Sequence, residues 1–511
     1  MLAALLALAL AGVSATASTA PDPVERAVQH NLPEFLDLLA LPNVASDASD
    51  IQRNAVFLKS ALERRGFRAQ LLDNPAHRPL VFAQLDAPTP GARTLLLYIH
   101  FDGQPVVPTE WQQASPFQPV VKERAGDAWR DVPAERLQAT PLDPELRIFA
   151  RGASDDKGPI AMLLTAMDLL RADGQAPASN IKVILDSEEE MSSPSLAGVV
   201  AANSALFGAD VLVILDGPTH PSGRPTVVFG NRGIAQATLT VYGPKAPLHS
   251  GHYGNYAPNP AMALAHLLAS MKDERGRVLV KGYYDGIHLS AAEKRLLAET
   301  PDDEPALRAR IGIAEAEAVG ATYQEALQFP SLNVRGMASA SVGAKAANVV
   351  PSDAIAELDL RTTPEAEGEH LLALVRAHIL AQDYHLSEGP PSDAERAAHA
   401  KLASFKPGPI QRAERQPMDS PTGRWAMRAV RAGSGATPLS LTRNPEPVRI
   451  RMMGGTVPTD ILVGALDLPF VMVPTVNSDN NQHAHDENLR IGNLVSGTRT
   501  IRALLTTPIT E

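Results

Sequence analysis

The sequence predicts an α/β protein in which a largely parallel central sheet, flanked by helices, is interrupted by a smaller α+β domain. Three continuous apolar runs, Thr94–Ile99, Ile181–Leu185 and Val211–Leu215, are typical of strands buried on both faces. Helical stretches separate these runs, and strands that alternate with helices favour a parallel sheet. At Gly233 the pattern changes, because Ala235–Val241 alternates with period two, as in a half-exposed antiparallel strand.

Size and composition limit the function classes. The chain has 511 residues, too many for one hydrophobic core, so two or three domains are expected. The formal net charge of −11 argues against a nucleic-acid partner. Cysteine is absent, which excludes disulfides, thiolate nucleophiles and cysteine metal sites. Any metal ion must therefore be held by His, Asp and Glu.

The N-terminus carries an apolar run, Leu2–Val13, whose length suits the core of a signal peptide rather than a membrane span. Small residues follow through Ala20, and Ala15-Thr16-Ala17 offers a cleavage site. We expect residues 1–20 to be a signal peptide and the protein to be periplasmic or secreted. No Lys or Arg precedes Arg26, so a helix docked on a cytoplasmic protein is the alternative. No later segment is apolar and long enough to span a bilayer, and no membrane partner is expected.

The main domain is predicted to begin over residues 21–231, with amphipathic helices that end at glycines and a long loop at Pro105–Pro144. Besides the three apolar runs, the predicted elements are helices Val24–Leu39, Asp50–Arg65, Pro159–Leu170 and Ser195–Phe207, and strands Phe67–Leu72 and Leu80–Leu85.

The smaller domain, a lid, is predicted over residues 232–390, and the main domain resumes over residues 391–511. Ser387–Pro417 is rich in proline and charge and is interpreted as the return linker. The remaining predicted elements are helices Asn259–Lys272, Glu367–Gln382, Asp419–Arg431 and Ile491–Leu505, and strands Ala354–Leu360 and Phe470–Val476.

Histidines and carboxylates stand where the predicted strands end. In parallel sheets ligands bind beyond the C-terminal ends of the strands, so these side chains are expected to meet. Two further carboxylates lie in the loop before a helix. The residues are His100, Asp102, Asp155, Asp156, Glu188, Glu189, Glu190, Asp216, His483 and His485.

Each of these residues has an ordinary structural explanation when it is taken alone. Adjacent aspartates suit a helix N-terminus, an Asp before Gly suits a turn, and a run of glutamates suits a solvated surface. Taken together, they supply two metal sites that share one carboxylate, about 3.5 Å apart as in two-metal hydrolases. One glutamate then holds a metal while its neighbour takes a proton from the attacking water. The combination favours a hydrolase.

Seven motifs, in their order and spacing, carry a resemblance to a known family. They are His100-Phe-Asp-Gly-Gln-Pro105, Arg151-Gly-Ala-Ser-Asp-Asp-Lys-Gly158, Glu189-Glu190, His249-Ser-Gly-His-Tyr-Gly254, Asn348-Val-Val-Pro351, Gly454-Gly-Thr-Val-Pro458 and His483-Ala-His-Asp-Glu487. The sequence resembles the co-catalytic zinc peptidase family of carnosinase, cytosolic non-specific dipeptidase, glutamate carboxypeptidase, aminoacylase and the acetylornithine and succinyl-diaminopimelate deacylases. The dipeptidase branch is the most similar, and the resemblance covers most of the chain after about Asp22.

The resemblance implies a catalytic domain interrupted by a lid domain, and two zinc ions per subunit, with cobalt or manganese as alternatives. It implies that Glu189 is the general base and that Asp102 supports His100. His483 rather than His485 is the implied ligand, because the family pattern sets a Glu four residues on and Glu487 fits. The implied metal ligands are His100, Asp155, Glu190, Asp216 and His483, with Asp155 as the bridge.

Substrate contacts are also implied by the resemblance. In dimeric members the lid pairs two subunits, so a homodimer is expected in which His249 reaches the partner's site and stabilises the oxyanion. Arg361 is implied to grip a substrate carboxylate, a task that suits a bidentate guanidinium. Asn348 and Thr456 are implied to bind substrate as well.

Three positions depart from the family pattern and affect the expected substrate subclass. Ser192 and Asn255 stand where glycine is usual, and Asp486 stands where asparagine is common. We predict a zinc-dependent exopeptidase that hydrolyses dipeptides or short peptides with a metal-activated water. One alternative is an N-acyl amino-acid amidohydrolase with the same machinery. Another is a non-catalytic peptide- or metal-binding protein, which would have no need of a free base beside a ligand.

Overall fold

The computed structural model describes residues 22–434, 444 and 446–510. The predicted signal peptide, residues 1–20, lies outside these ranges, so export stays a prediction. None of the helices within them combines the length and the apolar character needed to cross a bilayer.

The strands of the described residues fall into two main sheets and several small ones. They are β1 (Arg68–Leu72), β2 (Leu80–Leu85), β3 (Thr94–His100), β4 (Val120–Ala125), β5 (Ala128–Asp131), β6 (Arg147–Phe149), β7 (Asn180–Asp186), β8 (Val211–Ile214), β9 (Thr226–Val228), β10 (Gly230–Asn231), β11 (Gly233–Tyr242), β12 (Leu248–His249), β13 (Ser331–Ala338), β14 (Val349–Val350), β15 (Asp353–Thr362), β16 (His385–Leu386), β17 (Leu402–Gln411), β18 (Glu414–Arg415), β19 (Val448–Ile450), β20 (Phe470–Met472) and β21 (Asn488–Arg490).

The helices cover the faces of these sheets. They are α1 (Pro23–Leu39), α2 (Ala48–Arg64), α3 (Lys157–Ala172), α4 (Leu196–Ala202), α5 (Ser204–Phe207), α6 (Ser250–Tyr253), α7 (Pro260–Met271), α8 (Ala291–Leu297), α9 (Glu304–Ile311), α10 (Tyr323–Ala326), α11 (Gly368–Ala381), α12 (Asp393–Ala398), α13 (Pro421–Gly433), α14 (Thr459–Leu466) and α15 (Ile491–Thr506).

The larger sheet has the order β1-β2-β7-β3-β8-β20-β9-β19, and β7, β3, β8 and β20 run parallel to one another. Successive side chains of β3 enter two different cores. Leu95 and Leu97 pack in the core that contains α1, α2, α3, α13 and α15, whereas Leu96 and Tyr98 pack in the core that contains α4 and α14. Both faces are therefore covered, which explains the continuous apolar run. The predicted α/β fold with a largely parallel central sheet is confirmed.

The second sheet has the order β13-β15-β11-β17-β16 and is antiparallel except between β16 and β17. Buried and partly exposed residues alternate along β11 and β15. The buried ones share a core with α7 and α11. The half-exposed strand predicted at Ala235–Val241 is confirmed.

The interpretation of Ser387–Pro417 as a linker is wrong. This stretch contains α12 and β17, and β17 pairs with β11 from Leu402 opposite Tyr242 to Gln411 opposite Ile234. Its prolines concealed the strand, because they lie beside a register shift, where a strand tolerates a residue without an N–H. We therefore propose that the inserted domain runs from Gly233 to about residue 411, past the predicted end at 390.

Two helix boundaries also differ from the prediction. Helix α3 begins at Lys157, so Pro159 lies inside the first turn, where its missing N–H is not needed. The single helix predicted at Ser195–Phe207 is broken at Asn203. The Asn203 side chain donates to the Val199 carbonyl, a bond that competes with the helix backbone.

A small third sheet joins two segments that are distant in sequence. β4 and β5 form a hairpin inside the long loop, and β6 pairs with both β4 and β21. Phe149 lies opposite Asn488, so the chain after β6 runs beside the loop that precedes β21. That loop begins four residues earlier than predicted, because β20 ends at Met472 and does not reach Val476.

Candidate metal centre

The predicted ligands converge at one edge of the larger sheet. His100 is the last residue of β3, and Asp216 follows the end of β8 by two residues. Glu189 and Glu190 form a short 3-10 turn after β7. Because β7, β3 and β8 are parallel neighbours, their C-terminal ends meet.

Asp155 lies at the centre of the cluster. Its Oδ1 is 2.9 Å from His100 Nε2, and its Oδ2 is 3.1 Å from His483 Nε2. His483 Nε2 is also 3.4 Å from a carboxylate oxygen of Glu190. Two trios result, whose potential ligand atoms lie within 4.8 Å of one another: His100, Asp155 and Asp216, and Asp155, Glu190 and His483. Asp155 belongs to both trios.

The loop that carries Asp155 is held by Glu487. This fully buried carboxylate accepts hydrogen bonds from the backbone N–H groups of Ser154 (2.8 Å) and Asp155 (2.9 Å) through one oxygen. Its other oxygen accepts from the N–H of Gly152 and from Arg151 Nη1, each at 2.9 Å. This role of Glu487 is not evident from the sequence, in which Glu487 only marks His483 as the predicted ligand, since spacing within one loop does not reveal a partner on another.

Replacement of Glu487 by glutamine is expected to weaken metal binding by about 10- to 100-fold, because partners that position ligands typically have effects of that size. The NH2 group of the new glutamine would face N–H donors and could not accept their hydrogen bonds. The loop that carries Asp155 would then be held less firmly. A matched control is Asp479→Asn, which changes a carboxylate of the same loop that pairs with Arg147 and Arg490. Competition with a chelator measures the affinity, and equal affinities in the two variants would contradict the assigned role.

Asp102 joins two parts of the site. His100 Nδ1 lies 3.2 Å from the Asp102 backbone carbonyl and 3.3 Å from Asp102 Oδ1. The two carboxylate oxygens of Asp102 also accept from the backbone N–H groups of Glu189 (3.2 Å) and Glu190 (3.0 Å). Asp102 therefore orients the imidazole and fixes the turn that carries both glutamates.

Two further contacts in this turn are not evident from the sequence. Gln104 Nε2 donates to Glu190 Oε2 at 2.6 Å. Glu188, the first of the three glutamates, pairs with Arg78 at 2.7 Å and accepts from the Ser195 N–H. Glu188 thus has its own counter-ion, and the uncompensated negative charge is left to the other two.

The electrostatics of the cluster fit divalent cations. Burial, reinforced by Asp155, raises the pKa of Glu190 to about 7, and burial raises that of Asp216 to about 6. Burial also raises the pKa of Glu189 well above its ordinary range. Asp156 Oδ1 is buried and accepts no hydrogen bond from the described residues. The site therefore holds more buried carboxylate than its own cations balance, and His, Asp and Glu donors suit such ions.

Asp155 and His483 shift in opposite directions. Burial opposes ionisation of Asp155, but hydrogen bonds from His100 and His483 outweigh it and hold the Asp155 pKa well below its usual range. The hydrogen bond to Asp155 raises the pKa of His483 to about 8. Asp155 is thus anionic at neutral pH, as a bridging ligand must be.

The ordinary structural explanation fails for Asp156 and holds for His485. Asp156 occupies the N-cap position of α3, but its side chain makes no capping hydrogen bond. His485 is exposed, and its Nδ1 is 3.9 Å from a carboxylate oxygen of Glu110. His485 therefore lies outside both trios, as expected.

The four residues predicted to contact substrate lie in two neighbouring pairs, Arg361 with Thr456 and Asn348 with His249. Arg361 Nη1 donates to Thr456 Oγ1 at 2.8 Å. Asn348 accepts through its backbone oxygen from the Ser250 N–H, and β12 pairs with β14, so Asn348 lies next to His249. His249 is exposed, and among the described residues no hydrogen bond or ion pair joins it to the two trios.

The three departures from the family pattern share one backbone feature. Ser192, Asn255 and Asp486 have φ values of 66°, 63° and 57°. This left-handed region suits glycine and, less well, Asn and Asp, which explains why glycine is usual at the first two positions. Ser192 ends the turn of Glu189 and Glu190, so the substitution concerns the shape of the turn and leaves the ligand set unchanged.

Comparisons with known proteins identify relatives that match nearly the whole chain. A family model described as peptidase family M20/M25/M40 matches residues 96–507. The chain is 24% identical to the Cys-Gly metallodipeptidase DUG1 of Saccharomyces cerevisiae over 93% of this chain and 95% of the relative. It is 25% identical to the Beta-Ala-His dipeptidase of Homo sapiens over 98% and 96%. The solved M20 family metallo-carboxypeptidase Sso-CP2 from Sulfolobus solfataricus has a TM-score of 0.74 at 25% identity, covering 94% of this chain and 99% of that one.

Proposed function

The chain belongs to peptidase family M20/M25/M40, and on that premise we propose that it is a zinc-dependent dipeptidase, a metallopeptidase that cleaves the amide bond of dipeptides or short peptides. The observation that carries the proposal is the membership of Asp155 in both ligand trios. Relatives whose names state Cys-Gly and Beta-Ala-His dipeptidase activity match nearly the whole chain, which favours dipeptides.

Two divalent cations, when bound, would polarise the scissile carbonyl and lower the pKa of a water molecule. His100, Asp155 and Asp216 would hold one cation, and Asp155, Glu190 and His483 the other. Each set contains one imidazole and two carboxylates, which suits zinc and also cobalt or manganese.

Glu189 is the proposed general base. It lies in the same turn as Glu190 but belongs to neither trio. Its carboxylate would take a proton from the attacking water and return it to the leaving amine. Asp102 would keep His100 in one tautomer through the imidazole Nδ1. Arg361, Thr456 and Asn348 would hold the substrate, Arg361 through its carboxylate.

His249 is the proposed oxyanion donor, supplied by the second subunit of a homodimer through the lid. Its exposure and its lack of a bond to the trios favour this assignment. Co-expression of Glu189→Gln and His249→Ala chains should then restore about a quarter of wild-type activity, since half of the random dimers contain one complete site. Activity no higher than that of the separate variants would contradict a shared site.

The metal-free protein is expected to lose stability as pH rises. Burial and neighbouring charges raise the pKa of Asp216 to about 6 and of Glu190 to about 7, and Asp155 raises that of His483 to about 8. A group whose pKa is higher in the folded protein than in the unfolded protein stabilises the fold fully when the pH is below its unfolded-state pKa. This stabilisation is lost as the pH rises through its folded-state pKa. In the presence of chelator, Tm should therefore decrease as the pH is raised from about 5 to about 8.5.

The metal-loaded protein provides the comparison. Metal binding requires deprotonated ligands, so added zinc should raise Tm more at about pH 8 than at about pH 5.5. A Tm increase that is the same at both pH values would contradict the assignment of these groups as ligands.

The direct test is hydrolysis of a panel of dipeptides and N-acyl amino acids, with and without chelation. Faster cleavage of dipeptides, abolished by chelator and restored by metal, is expected. Preference for N-acyl amino acids would favour the amidohydrolase alternative. Metal binding without turnover on any member would favour a binding protein on the same fold.

A further inference from the structure

Residues 187–193, the turn that carries Glu189 and Glu190, begin beside a buried carboxylate to which the proposed mechanism gives no role. This carboxylate belongs to Asp186, the last residue of β7, which is 3% exposed. Asp186 Oδ1 accepts hydrogen bonds from the backbone N–H groups of Ser187 at 2.7 Å and of Glu188 at 3.2 Å. Because these two residues directly precede the proposed base, Asp186 fixes the backbone at the start of the turn.

The other carboxylate oxygen of Asp186 binds two hydroxyl groups. Asp186 Oδ2 accepts from the Tyr98 hydroxyl at 2.8 Å and from Ser193 Oγ at 2.6 Å. Tyr98 lies within β3, two residues before His100, and Ser193 is the last residue of the turn. Both side chains are almost completely buried. Asp186 therefore connects the strand that ends in a predicted metal ligand with both ends of the turn that carries the proposed base.

Every backbone N–H from Ser187 to Ser193 has an acceptor. The first two N–H groups donate to the Asp186 carboxylate, and the next two donate to the Asp102 carboxylate. The last three donate to carbonyl groups of the turn itself. The turn is thus held from outside by two buried aspartates, Asp102 at its centre and Asp186 at its two ends.

The backbone conformation at the end of the turn depends on this support. Ser192 and Ser193 have φ values of 66° and 45°, in the left-handed region that residues with a Cβ rarely adopt. Ser193 is held there by the bond from its hydroxyl to Asp186 and by its N–H, which donates to the Glu188 carbonyl at 2.8 Å. Loss of the hydroxyl bonds to Asp186 would therefore loosen the backbone segment that carries Glu189.

We propose that Asp186, together with the Tyr98 and Ser193 hydroxyls, positions the Glu189 carboxylate for proton transfer. The inference rests on the proposed function, in which Glu189 is the general base. Asp186 acts through the backbone of the turn, so it is a positioning residue and does not touch the substrate. A shift of about 1 Å in a catalytic group can lower turnover by about 100-fold, so loosening one end of the turn affects kcat more than KM.

The experiment is a double-mutant cycle between the buried hydroxyl groups and the base. Tyr98→Phe, which removes one donor to Asp186 and keeps the aromatic ring, should lower kcat by about 5- to 20-fold and change KM and metal content by less than about twofold. In a Glu189→Gln background the same substitution should change kcat by less than about twofold, because there is no longer a base to position. Ser193→Ala, which releases the other end of the turn, should give the same pattern.

Tyr384→Phe is the matched control, since it removes another buried hydroxyl, one that donates to the Ala263 carbonyl at 3.3 Å in the inserted domain. It should leave kcat unchanged with and without Glu189. Tm and metal content, measured on each variant, separate lost folding and lost metal from a displaced base.

A purely structural role of the Asp186 contacts would lower Tm and would act equally in the two backgrounds. An unchanged kcat in both Tyr98→Phe and Ser193→Ala, or the same fold-loss with and without Glu189, would overturn the inference and leave the dipeptidase function standing. Failure of the wild-type enzyme to cleave any member of the panel would overturn the proposed function, and the inference with it.

Discussion

Glu189→Gln is expected to keep both metal ions and to lower kcat by about 10²- to 10⁴-fold, the usual contribution of a general base. Glutamine has nearly the same shape as glutamate but cannot take a proton from water. Glu189 belongs to neither ligand trio, so its replacement should leave the metal content unchanged. Elemental analysis and steady-state kinetics on the same preparation measure the two quantities together.

Its neighbours in the turn are the controls. Glu190→Gln should lose metal as well as activity, because Glu190 lies in the trio with Asp155 and His483. Glu188→Gln should keep metal and most turnover, because that side chain pairs with Arg78 away from the trios. Unimpaired hydrolysis by the Glu189→Gln variant would defeat the proposed mechanism.

The central sheet and the convergence of the proposed ligands at one of its edges could be predicted because both depend on local pattern. The run Leu95–Ile99 is apolar at every position because the two faces of β3 meet two cores. A strand of that kind in a parallel sheet places His100 at the ligand edge. The peptidase family predicted from the motifs is confirmed by the family match.

What could not be predicted depends on contacts between distant segments. Glu487 meets the Asp155 loop across more than 300 residues of chain, and nothing in its own surroundings indicates that partner. Arg78 and Glu188 are likewise joined only by the fold. The sequence of β17 resembles a linker because its prolines suppress the strand pattern, whereas its partner β11 is evident from alternation.

Asp155→Asn is expected to have the largest effect, because it affects both metal sites at once. Each oxygen of Asp155 faces a different histidine, His100 at 2.9 Å and His483 at 3.1 Å. A bridging ligand needs two anionic oxygens, whereas asparagine offers one neutral oxygen and an NH2 donor. Metal content should fall from about two ions per chain to less than about one, and turnover should be lost with it.

Asp156→Asn is the matched control, since it makes the same change one residue later. Asp156 belongs to neither trio, and its Oδ2 accepts only a long bond, 3.4 Å, from the His100 backbone N–H. Burial, reinforced by the nearby Asp216, raises the Asp156 pKa well above its ordinary range, so a neutral amide costs less at this position than at Asp155, whose pKa is lowered. The control should therefore keep its metal. Equal metal loss in the two variants would mean that the charge of the loop, rather than the bridge made by Asp155, holds the ions.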